Sequence, residues 1–150
     1  MKPLVFTAVV NRPREQVYAY LADLRNHEPF TDHFLTDWEG DAGSVRVRVL
    51  APGRSEVVEI NSIEEVAPSK LAERTTGGKG KRRSTGTYFL EEDGPGRTRV
   101  RFEFAIEAMP ALERPLLPLT RAWVRRKNTE ALERLPGVLE AAIPAAPSAA

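Results

Sequence analysis

Cysteine is missing altogether from the 150 residues. That excludes disulfides, thiolate metal sites and a thiol nucleophile, and it fits a reducing compartment. Histidine is nearly missing too, with two copies, so few side chains have an ordinary pKa suited to a general base near neutral pH. No run approaches the roughly 18 consecutive apolar residues of a membrane-spanning helix. The N-terminus, Met-Lys-Pro-Leu-Val-Phe-Thr, has no apolar stretch ahead of its first charge, so no signal peptide is expected. A cytoplasmic protein without a transmembrane segment is the expectation.

A dominant charge of one sign is also lacking, since the net charge is +1. The balance hides a division along the chain. Between Glu15 and Asp41 seven acids stand against Arg25 alone, and between Lys70 and Gly86 six bases stand against Glu73 alone. Such a split can steer a charged partner, or it can be two solvated faces of opposite sign.

What is present is an order of parts. A strand-like run, Leu4 to Val10, is followed by a helical patch that opens at Pro13, a residue suited to a first helical turn. Val17, Tyr18, Leu21 and Leu24 recur at helical spacing. The helix is expected to stop around Glu28-Pro29-Phe30, and a second short helix is expected over Phe30 to Leu35. Alternation then predicts strands: Ser44 to Leu50 with Val45, Val47 and Val49 on one face, and Glu56 to Val66 with a bulge near Asn61. Lys70 to Thr76, Arg82 to Glu92 and Thr98 to Ala108 follow, the last with Thr98, Val100, Phe102, Phe104 and Ile106 inward. Short turns such as Pro52-Gly53 and Gly77-Gly78-Lys79-Gly80 join them into an antiparallel meander.

A long amphipathic helix is predicted over Ala111 to Leu135, with Leu112, Leu116, Leu119, Thr120 and Trp123 on one side. Pro136-Gly137 is expected to end or bend it. Residues 141–150, alanine and proline, read as a disordered tail behind a single domain over 1–140. The fold class is α+β: a curved seven-stranded antiparallel sheet wrapped around a long C-terminal helix, with two short helices after the first strand. A space between sheet and helix is where function is expected.

Three stretches, VNRPREQVYAYLADLRNHEPF, VVEINSIEEVAPSKL and GRTRVRFEFAIE, resemble in order and spacing the polyketide cyclase/dehydrase-like branch of the START-like, or helix-grip (SRPBCC), superfamily. The resemblance covers about residues 4–135. It implies a cavity for an apolar ligand between sheet and long helix, as in lipid carriers, quinone chaperones, polyketide cyclases and plant pollen allergens. Pro13, Val17, Tyr18 and Leu21 match a packing signature of the first helix. Trp123 and Leu119 fall on the cavity side of the long helix. Where the family often has tryptophan, this chain has Phe30. No catalytic set is shared across the superfamily, so none is carried over.

The candidate ligand-binding set is Phe30, Tyr88, Phe102, Phe104, Leu116, Leu119, Thr120 and Trp123: apolar walls with a few polar points. The alternative is that these residues fill a core. Lys127, one turn beyond Trp123, either meets a ligand carboxylate or snorkels to water. His33 and Tyr88 are the candidate chemical actors, if both reach one cavity; His33, beside Asp32 in a polar stretch, is expected to be solvated. The six-residue spacing of His27 and His33 turns them to different helix faces, so no metal is expected, and no cofactor. Entry to the cavity is expected near Phe30 to Leu35 and the Gly77 to Gly80 loop.

Binding of a small hydrophobic molecule (lipid, polyketide or aromatic) is the leading functional expectation. One alternative is an aromatase/cyclase-type enzyme on a polyketide-like substrate. Another is an interaction protein that uses Lys79-Gly80-Lys81-Arg82-Arg83 on RNA, ribosome or anionic lipid. Nucleic acid is not expected, because aromatics do not interleave those bases. Oligomeric state is left open.

Overall fold

Period-two alternation makes the sheet. The computed structural model describes residues 2–145. In it β1 (Leu4–Val10), β2 (Leu35–Gly40), β3 (Ser44–Ala51), β4 (Arg54–Val66), β5 (Lys70–Gly77), β6 (Arg82–Glu92) and β7 (Thr98–Ala108) form one antiparallel sheet. From β2 to β7 each strand pairs with the next, and β1 adds to β7 at the far edge. Inward residues of neighbouring strands stand opposite one another, as in Phe6 against Phe102 and Val47 against Val58. The bulge expected near Asn61 falls between Ser62 and Glu64. It turns Ile63 out of the buried series, and Ile63 is exposed.

The helical connection after β1 differs in its boundaries from the expectation. Helix α1 (Arg14–Ala22) stops before Leu24, because Asp23 leaves helical geometry and caps a 3-10 turn, Leu24–His27, by accepting the Arg25 N–H at 3.0 Å. Helix α2 then spans Glu28–Thr31, not Phe30 to Leu35. Pro29 sits in its first turn, where a missing N–H costs nothing, so this proline opens a helix instead of stopping one. Leu35 already belongs to β2.

The closing segment begins as a 3-10 helix, Ala111–Leu116, and continues as α3, Leu117–Ala142. Pro118 lies in the first turn of α3. Pro136 and Gly137, expected to end or bend the helix, are carried inside it. An interior proline costs about 3 kcal/mol, but Leu132, Leu135 and Leu139 are buried on either side of it. At about 1.5–3 kcal/mol per buried leucine, packing outweighs the loss. The helix therefore takes in Ala141 and Ala142, the first residues of the expected tail; residues 146–150 of that tail lie outside the described residues.

Arg12 closes the C-terminal end of α3. Its Nη2 donates to the Glu140 carbonyl and its Nε to the Ile143 carbonyl, both at 2.7 Å. This cation answers the free carbonyls of the last turn. The C-terminal half of α3 thus packs on β1 and α2 within the main core. Its N-terminal end does not: Leu119 is 70% exposed. A smaller cluster of Leu24, Val45, Val47, Val58 and Ile60 lies under β3 and β4.

Candidate ligand cavity

Because α3 is seated tightly at one end only, a space opens between its N-terminal half and the concave face of the sheet. The cavity measures about 450 Å³, inside the range of roughly 300–1,000 Å³ for small-molecule sites. Val49, Val58, Phe104 and Ile106 wall it from the sheet, and Trp123 and Val124 from the helix. Phe34 stands edge-on behind Trp123, with centroids 6.0 Å apart. Ser84, Thr75 and Thr120 supply sparse polar points.

Of the residues expected from sequence, Phe104, Leu116, Leu119, Thr120 and Trp123 border this cavity; Phe30, Tyr88 and Phe102 do not. Phe30 is fully buried against the His27 ring, 5.3 Å between centroids. Phe102 fills the concave face between Phe6 and Tyr88, 4.5 Å from the Tyr88 ring. Alternation places a side chain on a face, but it does not say which part of that face the helix covers. The expected entrance also needs correction. The Phe30 to Leu35 segment lines no part of the cavity, whereas Gly77, Ala51, Pro52 and Met109 do. The β3–β4 turn, Gly77 at the start of the expected loop, and the strap from Met109 to Leu116 border the cavity.

The rim carries a charged cluster that residue patterning does not announce. Glu56 stands directly opposite Val49, so it points inward among apolar neighbours. One of its oxygens accepts the Gly78 N–H at 2.6 Å and the other accepts from Arg82 Nη1. A Cβ at Gly77 would collide with that carboxylate and come within 2.8 Å of Val58 Cγ1, so glycine is required there. Arg82 turns its remaining edge to Glu113, with Nε at 3.0 Å and Nη2 at 2.9 Å from Oε2. Arg54 Nη1 also donates to Glu113. Partial burial works against ionisation of Glu113, yet the hydrogen bonds from Arg82 and Arg54 hold its carboxyl below the usual range. Arg82 is thus bound into the rim and is not part of a solvated basic tip. An acid at an inward register position, Glu56 between Val58 and the turn, is the one available signal.

The two expected chemical actors do not meet. His33 is not solvated beside Asp32. Its side chain is 10% exposed, and Nε2 donates to the Lys127 carbonyl at 3.1 Å with Glu130 at 3.3 Å. It pins α3 to the α2–β2 connection, while Asp32 pairs with Arg134. Lys127 is mostly buried beside Glu130 and does not reach the cavity.

Tyr88 faces a separate space of about 10 Å³ together with His27, Glu73 and Ser62. His27 Nε2 lies 2.8 Å from the Leu21 carbonyl. A carbonyl only accepts, so the ring carries its proton there and Nδ1 is the acceptor when the ring is neutral. Glu73 Oε2 lies 3.8 Å from Nδ1 and has no hydrogen-bond partner. Burial pushes His27 down to about 4, against the Leu21 hydrogen bond, and pushes Glu73 up to about 7. Burial, reinforced by the Glu73 charge, raises Tyr88 well above its ordinary value. Among the described residues no group of three His, Asp or Glu side chains is arranged to hold a metal ion, and no helix is long and apolar enough to cross a membrane.

The fold agrees with the comparisons. Residues 3–140 match the family described as polyketide cyclase / dehydrase and lipid transport, and the chain belongs to that family. A protein of Thermus thermophilus is 20% identical, with a TM-score of 0.73 over 95% of this chain and 99% of the other. The Zhui aromatase/cyclase from Streptomyces sp. R1128 is 19% identical, with a TM-score of 0.68 over 96% of each chain. A START superfamily protein from Mycobacterium smegmatis is 16% identical, with a TM-score of 0.63 over 95% and 97%. At these identities the likeness shows a shared fold. No curated protein matches the sequence.

Proposed function

We propose that this protein binds a small hydrophobic ligand, of lipid, polyketide or aromatic type, between the sheet and the N-terminal half of α3. The observation that carries this reading is a cavity of about 450 Å³ with largely apolar walls, sparse polar points and a charged cluster of Arg54, Glu56, Arg82 and Glu113. Walls of that kind reward burial of a ligand at roughly 25 cal/mol per Å² of apolar surface. The family's description, which names both cyclases and lipid transport, supports the same class of ligand.

The aromatase/cyclase reading has less support. His33 and Tyr88 open into different places, and neither borders the cavity. The interaction reading loses Arg82, which is committed to Glu56 and Glu113. A cytoplasmic location belongs to the proposal, since a chain without cysteine needs no oxidising compartment to fold.

Trp123 gives the test. Trp38 lies elsewhere, donating to the Leu35 carbonyl beside the smaller cluster, so a Trp38→Phe variant leaves Trp123 as sole reporter. A naphthalene dye and a medium-chain fatty acid should each shift its emission, the uncharged dye with affinity nearly independent of salt. Emission unmoved by all such compounds removes the basis of the reading.

A further inference from the structure

Glu113 occupies a position built for a carboxylate but supplied by a segment that little else holds. Arg82 is oriented before Glu113 arrives: Glu56 takes Nη1, and Glu56 is itself fixed by the Gly78 N–H. The edge left over, Nε with Nη2, is the face of a guanidinium that matches a carboxylate in two parallel hydrogen bonds. Arg54 adds a second cation to the same oxygens. All four residues line the cavity, so the fork looks into the space where an apolar ligand would lie.

The strap that carries Glu113 is weakly seated. No residue of Ala111–Leu116 is buried, and Leu112 is 94% exposed. Pro115 lies inside this turn, and Pro110 precedes it. Its ties to the sheet run through Glu113, to Arg82 on β6 and Arg54 on β4. Exchanging Glu113 for another carboxylate therefore gives up ion pairs that the newcomer remakes, and almost no apolar burial. Charge is conserved as well. Two arginines face two glutamates, and a ligand carboxylate that sends Glu113 into water leaves the buried side of the cluster neutral.

We propose that the Arg82–Arg54 fork is a carboxylate-binding subsite, that Glu113 occupies it in the ligand-free protein, and that the ligand is an amphipathic acid whose head group displaces Glu113 while its apolar part fills the cavity. This rests on the cavity-binding reading above. An uncharged ligand of the same shape has nothing to offer the fork and leaves the strap latched.

The test compares 11-(dansylamino)undecanoic acid with its methyl ester, binding being followed by dansyl emission at pH 7. The wild type should bind the acid a few-fold more tightly than the ester, because the head group remakes the ion pairs of Glu113 while the displaced carboxylate regains water. Arg82→Met should bring the acid-to-ester ratio to about one. Arg82→Lys, which keeps the charge without the fork, should fall in between. Glu113→Gln removes the competing carboxylate and should raise the ratio several-fold above wild type. This variant keeps the fork testable if Arg82→Met does not fold. Ester and acid binding equally in the wild type, or a ratio unmoved by Glu113→Gln, overturns the carboxylate subsite and leaves the cavity reading standing. Neither probe binding overturns both.

Discussion

Glu73 and His27 sit in one buried space and are pushed in opposite directions by burial, so their contributions to stability oppose one another with pH. Glu73 is raised from an ordinary 4.5 to about 7. Between those values the folded state holds a proton that the unfolded chain has lost, so stability falls as pH rises. His27 is lowered from 6.5 to about 4. Between those values the unfolded chain holds the extra proton, so stability rises with pH. Each shift corresponds to about 3 kcal/mol at 1.36 kcal/mol per pH unit, and over most of their common window the two cancel. Glu73→Gln uncovers the pair. Its stability relative to wild type should grow by about 3 kcal/mol between pH 4.5 and 7, measured by urea unfolding at several pH values. A difference that stays flat across this range means Glu73 ionises normally and the space is wet. Nothing in the sequence marks these two residues. Glu73 is visible there only as the one acid among six bases, and His27 only as half of a spacing unsuited to a metal.

At the scale of elements, the odd feature is a proline carried through the middle of α3. Pro136 deprives the helix of one hydrogen bond and crowds the carbonyl four residues back, yet the helix holds because Leu132, Leu135 and Leu139 are sunk in the core and Arg12 caps the last turn. Pro136→Ala should therefore stabilise the protein by about 2 kcal/mol. The gain is the restored helix geometry less the roughly 0.4–1 kcal/mol that proline contributes by stiffening the unfolded chain. Thermal unfolding reads it directly, and a lower Tm would mean that the core depends on a distortion at Pro136. The converse change, Arg12→Met, should cost about 2 kcal/mol by stranding the Glu140 and Ile143 carbonyls.

Proline also explains what can be read in advance. Most strands are legible because alternation is a local property: Leu4–Val10, Arg82–Glu92 and Thr98–Ala108 have the bounds that their periodicity implies. The exception is β2, Leu35–Gly40, which has no range in the sequence because a register shift between Thr36 and Glu39, with Asp37 at positive φ, breaks its alternation. Helix ends are not, because proline's effect depends on context. At Pro29 it opens a helix, and at Pro136 it is overruled by burial against residues distant in the chain. For the candidate site, five of eight expected lining residues border the cavity. The misses, Phe30, Tyr88 and Phe102, belong to the apolar interior but pack against His27 and Phe6, away from the N-terminal half of α3.

Taken whole, the molecule separates what holds it together from what leaves room. One half of α3 is locked to β1, α2 and the main core, with Val124, Ala131, Leu132, Leu135 and Leu139 buried. The other half, together with the strap and the β3–β4 turn, spans an unfilled space. Local stability follows buried contacts, so opening free energies should divide at about Val124. In hydrogen exchange on the free protein, backbone amides of Leu119 to Trp123 should exchange well before those of Leu132 to Leu139. A bound dansyl fatty acid supplies the missing wall, and it should slow the first group while leaving the second unchanged. Equal protection along α3 in the free protein would mean that the N-terminal half is already fully packed. Slowing at Leu132 to Leu139 alone would move the ligand to the opposite end of the helix, against the closed core.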